Sequence, residues 1–458
     1  MPDMDASPRV AGLAAGERAS AGFIVLLAAV TAAGPVALQI FLPALPLVQQ
    51  SLHTTPGVAQ LALSLSMVAM ALATLAYGPL SDRYGRRPVM LGGLAILVLG
   101  SLMCAVAPTI EALIAGRLVQ AAGGAVGMVL SRAIARDRFG AFGAARVISQ
   151  LTLVMVAAPM VAPAVGGVLT DTFDWRATFV AVLLFGLVLM ALTWRSLPES
   201  LPAAQAGGGT AAAGGGAAAS ASALASMLEP FRAMPTLLRS RTFSMIVLQT
   251  AFTSTIFFSF ISGAPYVMAH MLQRPPSEYG FYFVLVSGGF MVGNLLSLRY
   301  AHRVSPRRLL TIGALVALAG PVLLSLVVAL DRLTPLLLFL PMFFGSIGSG
   351  AVMPNAQAAA INVFPERAGS ASGITGFLQL VFAAGASQLV GVFTGDSAWP
   401  MLTCMLIAGV GALACLLLQP QPADPAPLGP AAPARDDARM REDAGAIAPT
   451  DNARARNG

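Results

Sequence analysis

Runs of apolar residues, each of roughly membrane length, alternate with short polar segments along almost the whole chain. They fall near residues 22–48, 58–80, 88–107, 109–132, 147–170 and 176–195, then again near 242–269, 279–298, 308–330, 333–356, 368–394 and 397–418. A helix needs about 20 apolar residues to cross the hydrocarbon core, so the pattern predicts twelve transmembrane helices and no strands. The longest interruption, Pro198 to about Ser240, divides the runs into two sets of six. The expected architecture is an all-α membrane protein, twelve transmembrane helices in two pseudo-symmetric six-helix bundles. Its expected parts are a cytoplasmic N-terminal segment (1–21), a first bundle (22–196), a linker (197–240), a second bundle (241–418) and a disordered cytoplasmic tail (419–458).

Composition agrees with this pattern. Of 458 residues, 57% are hydrophobic and only 10% charged, with mean hydropathy +0.77; soluble domains of that length would be poorly solvated. The segment before the first run is short, polar and mixed in charge, and that run is too long for the apolar core of a signal peptide, so a permanent first span is expected. The middle of the linker, Gly207 to Ala223, is rich in Gly, Ala and Ser and reads as flexible. Met227 to Leu238 could form a short amphipathic helix at the inner surface.

Charge placement then fixes an orientation. With the N-terminus inside, 23 arginines fall on the inner side, three (Arg176, Arg274, Arg332) on the outer side, and Arg117 within a span. Positive residues favour the cytoplasmic side of short loops, so both termini are expected in the cytoplasm, and the net charge of +7 reflects topology and not a nucleic-acid surface. Cys104, Cys404 and Cys415 lie inside apolar runs without pairing or metal-ligand spacing. His53, His270 and His302 form no metal-like group. Catalytic triads and phosphate-binding loops are absent from the sequence, so neither an enzyme nor ATP-driven transport by this chain is expected, and no metal or cofactor.

Several short motifs stand out. Between the second and third runs is Gly78-Pro79-Leu80-Ser81-Asp82-Arg83-Tyr84-Gly85-Arg86-Arg87, and after the eighth comes a degenerate counterpart, Ala301-His302-Arg303-Val304-Ser305-Pro306-Arg307-Arg308. The fourth run holds Arg117-Leu118-Val119-Gln120 through Gly127, and the fifth Ala158-Pro159-Met160-Val161-Ala162-Pro163-Ala164-Val165-Gly166-Gly167. Phe41-Leu42-Pro43-Ala44-Leu45-Pro46 and Phe364-Pro365-Glu366-Arg367-Ala368-Gly369 complete the set. Over roughly residues 22–418 the chain resembles the major facilitator superfamily, and within it the bicyclomycin- and chloramphenicol-resistance subfamily of drug/proton antiporters.

The resemblance implies a gating loop at Gly78, Asp82, Arg83, Gly85, Arg86 and Arg87, where directional Arg–carboxylate pairs would close the cytoplasmic side. A solvated positive loop is the plainer alternative. It implies proton or substrate handling at Arg117, with Gln120 one turn away; the alternative is an arginine bonding to carbonyls freed by prolines of a neighbouring helix. Pro159, Pro163, Gly166 and Gly167 match the antiporter motif, which would hold the halves together in an outward-closed state, and plain helix packing accounts for them equally. For Gly123 and Gly127 packing is the expected role. Candidate cavity residues are Gln39, Phe41, Phe260, Tyr266 and Gln379.

One position departs from the pattern. Related antiporters carry a carboxylate in the first helix where this chain has Gln39, and an amide cannot exchange a proton near neutral pH. No acid lies near the middle of any predicted span, so Glu111, six residues before Arg117, is the expected substitute. The sequence therefore points to a monomeric exporter of small amphipathic compounds in a bacterial inner membrane, exchanging them for protons. A metabolite uptake carrier or solute exchanger on the same fold, and a membrane receptor without transport, remain the alternatives.

Overall fold

The computed structural model describes residues 21–200, 232, 234–300, 303–395 and 397–419. Within them the first span is built in two pieces, α1 (Ala21–Gln39) and α2 (Leu45–Ser51), joined by a 3-10 turn at Leu42–Ala44. Pro43 and Pro46 supply no amide hydrogen there, which is why α1 stops and the chain restarts as α2. The helices α3 (Pro56–Tyr84), α4 (Arg86–Ala105), α5 (Ile110–Thr172) and α6 (Arg176–Ser196) complete the first half. Helix α5 carries two spans, Ile110–Gly140 and Arg146–Thr172, which meet where Gly140 takes φ +62°.

The second half comprises α7 (Arg241–Tyr266), α8 (Pro276–Tyr300), α9 (Pro306–Ala329), α10 (Pro335–Val363), α11 (Ala368–Phe393) and α12 (Trp399–Leu418). A single π turn, Val267–Met271, prolongs α7. Twelve membrane-length helices are thus present, as the apolar runs predict, and no strand occurs among the described residues. All of them belong to one unit ending at Gln419. The predicted amphipathic helix falls mostly outside the described residues, though Met234–Leu238 are helical and Leu237 is buried. His302, most of the linker and the tail also lie outside them.

Helix starts follow ordinary capping chemistry. Thr55, Thr109, Thr334 and Ser240 each accept, through the side-chain hydroxyl, the amide three residues on, satisfying an otherwise orphan donor. Helix faces carry little polar asymmetry because lipid, not water, surrounds them. Many leucines, valines and phenylalanines on α6, α8 and α12 are correspondingly exposed, among them Leu184, Leu298 and Leu417. The end bearing Gly78–Arg87 is termed inner below, after the arginine distribution, and the opposite end outer.

The halves meet along two antiparallel seams, α3 with α11 and the second arm of α5 with α8. At the outer end both are tight. Gly167 and Gly280 face backbone across the second seam: a β-carbon on Gly167 would collide with the carbonyl of Pro276, and one on Gly280 with that of Pro163. Lacking side chains, these two glycines let the helices approach to backbone contact. Gly166 faces the other way, onto the carbonyl of Ile40. Pro159 and Pro163 sit in that same arm, which stays helical from Arg146 to Thr172.

Gly123 and Gly127 both serve packing, but not on one surface. Gly123 abuts α4 at Leu97, and Gly127 abuts α1 at Val30. The first arm of α5 is wedged between those helices, one glycine for each neighbour.

Candidate functional site: a buried arginine and the two ends of the bundle

Arg117 lies in the first arm of α5 and is 1% exposed. Its Nη1 donates to the carbonyl of Ala37 at 2.9 Å and to Oε1 of Gln120 at 2.6 Å, and its Nε donates to the carbonyl of Ala62 at 3.3 Å. The Ala37 carbonyl lies in the last turn of α1, just before the 3-10 turn diverts the backbone. The guanidinium also stands over the rings of Phe41 (4.9 Å) and Phe179 (5.9 Å), a favourable cation–π setting. Gln120 passes the network on: its Nε2 donates to Ser101 Oγ (2.9 Å), which donates to the carbonyl of Leu97 (2.7 Å).

Every partner in this network is neutral. Burying a charge at this depth costs at least ~2.5 kcal/mol on insertion scales, and here carbonyl dipoles and ring faces offset it instead of a counter-ion. The arginine thereby ties together α1, α3 and α5, with Gln120 extending the tie to α4. Its Nη2 has no hydrogen-bond partner, and neither does Oε1 of the buried Gln39.

Glu111 is not part of this arrangement. It is exposed in the first turn of α5, close to the Thr109 cap, and makes no ion pair with Arg117. Indeed, among the described residues no Asp or Glu is buried. The other cavity candidates scatter. Phe41 belongs to the Arg117 cage; Phe260 packs edge-on against Phe339 (5.4 Å); Tyr266 is buried beside His270 near the outer end of α7; Gln379 on α11 is half-buried, its carbonyl near Ser254 Oγ.

At the inner end the loop residues form a charge cluster. Arg86 is largely buried and pairs with Asp82 (2.6 Å) and, through Nε, with Asp137 of α5 (2.9 Å), while Nη1 also donates to Ser81 Oγ. Gly85 takes φ +94°, a left-handed turn that ends α3 and starts α4 at little cost only for glycine. Directly over it, Glu199 accepts the backbone amides of Arg86 (2.9 Å) and Arg87 (3.1 Å), so a carboxylate sits at the start of α4 where the helix dipole favours it. Arg87 donates to the Trp194 carbonyl at 2.6 Å, Arg83 stacks on Tyr84 at 5.0 Å, and Gly78 has open space around it. Asp137 closes the motif that begins at Arg117, but its pairing with Arg86, 51 residues away, was not foreseen, and Glu199, 113 residues from Arg86, belongs to no motif.

The outer end carries a hydrogen-bonded closure between the halves that no sequence motif marks. Gln60 Nε2 donates to Ser387 Oγ (2.6 Å), which in turn shares a hydrogen bond with Ser262 Oγ of α7 (2.7 Å). Ser64 Oγ donates to Gln388 Oε1 (2.8 Å), and Gln388 Nε2 donates to the Gly57 carbonyl (2.8 Å). On the α5–α8 seam the amide of Ser277 donates to Asp171 Oδ2 (2.9 Å). These hydrogen bonds and the glycine contacts hold the two halves together at the outer end.

Two six-helix halves closed at one end are the design of an alternating-access carrier, and comparison with known proteins agrees. The family model described as Major Facilitator Superfamily matches residues 25–387 and again 246–442. The chain belongs to the major facilitator superfamily. It is 30% identical over 406 residues to the MFS-type transporter YdgK of Bacillus subtilis (strain 168), covering 87% of this chain and 95% of that one. It is 27% identical to a bicyclomycin resistance protein homolog of Haemophilus influenzae and to the multidrug resistance protein MdtL of Escherichia coli, each match covering 84% of this chain and 92% of the relative. Among solved structures, the inward-open xylose transporter XylE from E. coli superposes with TM-score 0.66 over 87% of this chain and 95% of that one, at 13% identity; that likeness is one of fold. The protein is therefore a multi-pass membrane transporter, not an enzyme, similar to members named for drug resistance.

Proposed function

We propose that this transporter exports small amphipathic compounds by alternating access, driven by inward movement of protons, as a monomer in a bacterial inner membrane with both termini cytoplasmic. The observation that carries the reading is the closure at the outer end. Hydrogen bonds and glycine contacts join the halves at the outer end, away from the charged loop. Opening them and closing the Asp82–Arg86 end exchanges access between the two sides of the membrane. The drug-resistance names of the H. influenzae and E. coli relatives support export as the direction.

The charge of the interior narrows the substrate. Arg117 is buried without a counter-ion, so its uncompensated charge disfavours permanent cations and suits neutral or anionic amphiphiles. Coupling uses a carboxylate at a span end, because no acid is buried among the described residues. Asp171 is the acid in contact across the halves; its protonation removes the better acceptor for Ser277 and loosens the outer seam. Glu111, exposed at the outer start of α5, is the alternative proton carrier. Substrate-driven proton release from everted vesicles tests both: Asp171→Asn abolishes it if the seam acid is the carrier, and Glu111→Gln abolishes it if the exposed acid is.

A second reading, uptake or exchange of a metabolite, is favoured by Gln39, which leaves the first span without a titratable group. Loss of growth on a single nutrient after deletion, with drug tolerance unchanged, supports that reading over export.

A further inference from the structure

The two halves treat their inner loops differently. In the first half, the arginines of Gly78–Arg87 come with acids: Asp82 and Asp137 on Arg86, and Glu199 on the backbone of Arg86 and Arg87. The counterpart loop between α8 and α9 has Arg299, Arg303, Arg307 and Arg308, yet no Asp or Glu occurs from Tyr279 to Leu330. None of these four arginines makes an ion pair among the described residues, and Arg299, Arg303 and Arg308 are exposed. Among the described residues, no acid of the chain pairs with these four arginines.

Beside this loop is a groove of about 220 Å³ between α8 and α9, floored by α10. Its lining surface is apolar and includes Leu296, Tyr300, Val304, Leu309, Ile312 and Val316. The mouth is on the outside of the bundle, for Leu296, Tyr300 and Ile312 are 41%, 42% and 56% exposed. Such a crevice offers water no hydrogen-bond partners and has room for several methylene groups. Arg299, Arg303 and Arg308 are immediate chain neighbours of the lining residues Tyr300, Val304 and Leu309, so the positive charge gathers at one end of the groove. Basic pockets between transmembrane helices are suited to anionic lipid head groups, and arginine binds phosphate in a directional, two-pronged way.

We propose that this groove holds one acyl chain of an acidic phospholipid, whose phosphate is bound by Arg303, Arg307 and Arg308. The lipid supplies to the second half the negative charge that Asp82, Asp137 and Glu199 supply to the first. Retention of the lipid is independent of what the protein transports and in which direction.

The test is native mass spectrometry of the purified full-length chain, titrated with phosphatidylglycerol or phosphatidylcholine in detergent. The expected result is a single retained phosphatidylglycerol per chain, favoured over phosphatidylcholine. Neutralising the loop (Arg303→Gln, Arg307→Gln and Arg308→Gln together) lowers its apparent affinity at least about tenfold, and the triple lysine variant restores part of it. Ile312→Trp, which fills the groove mouth and leaves every arginine in place, also displaces the lipid. Equal retention by the wild type and both kinds of variant overturns the proposal. So does equal binding of phosphatidylcholine by the wild type, a measurement that needs no variant to fold. A thermal shift produced as fully by inorganic phosphate as by the lipid overturns it as well, since the acyl chain would then contribute nothing.

Discussion

Gln60 and Ser387, 327 positions apart in the chain, meet at 2.6 Å where the first half touches the second at the outer end. Neither residue titrates, and with Ser64, Gln388 and Ser262 they form a closure built from neutral hydrogen bonds. The inner cluster of Arg86, Asp82 and Asp137 is built from charges instead. The contact between α3 and α11 at the outer end is thus neutral, whereas the inner cluster, within the first half, is charged.

Removing the neutral closure shifts the balance between access states. A hydrogen bond of this kind contributes about 0.5–1.5 kcal/mol net, so Gln60→Ala with Ser387→Ala raises the outward-open population several-fold. Distances between spin labels at the outer ends of α3 and α11 lengthen in the double variant; unchanged distances contradict a closing role for this pair.

Backbone contact at the second seam gives a sharper substitution test. Gly280→Val places a side chain against the Pro163 carbonyl and prevents the outer end from closing, with loss of transport. Gly288→Val on the same helix, where an added β-carbon meets nothing within 4 Å, leaves transport near the wild-type level. Transport assays on this pair separate a seam effect from a general loss of helix stability.

Arg117 donates to two backbone carbonyls and to Gln120 at once, a geometry a lysine ammonium does not reproduce. Arg117→Lys is expected to lower stability by about 1–3 kcal/mol through the partners left unsatisfied, read as a lower midpoint in thermal unfolding in detergent. A midpoint equal to that of the wild type means that the arginine does not tie α1, α3 and α5 together.

Glu199 serves the start of α4. Glu199→Ala deletes a carboxylate that accepts two helix-end amides, a loss of about 0.5–2 kcal/mol, and exposes the Gly85 turn. Faster tryptic cleavage after Arg83 or Arg86 than in the wild type is the expected outcome.

Much of this was legible in the sequence, for reasons that differ by element. The spans were, because lipid imposes a length and an apolar composition that survive reading one residue at a time. Gly85, Arg86 and Gly167 were, because tight turns, charge-dense loops and close helix approach restrict the residue types at a fixed spacing. Their partners were not. Asp137 ends the fourth-helix motif, but its pairing with Arg86 is made only by the fold; Glu199 and Gly280 are single residues, and Gln60, Ser64 and Gln388 are isolated polar residues in apolar runs, with no local pattern to mark them. Glu111 shows the same limit from the other side. Six positions suggested proximity to Arg117, but it lies exposed in the first turn while the arginine is buried further along the helix.

The central claim, export of amphiphiles coupled to protons, is tested most directly by proton release from everted vesicles with an acidified lumen. Adding a neutral phenicol-type compound is expected to discharge the pH gradient in vesicles bearing the wild-type protein and not in those bearing Gly280→Val, and to do so more strongly than a quaternary ammonium dye. A gradient unaffected by any compound that the protein nevertheless moves, or a stronger response to the permanent cation, contradicts the account.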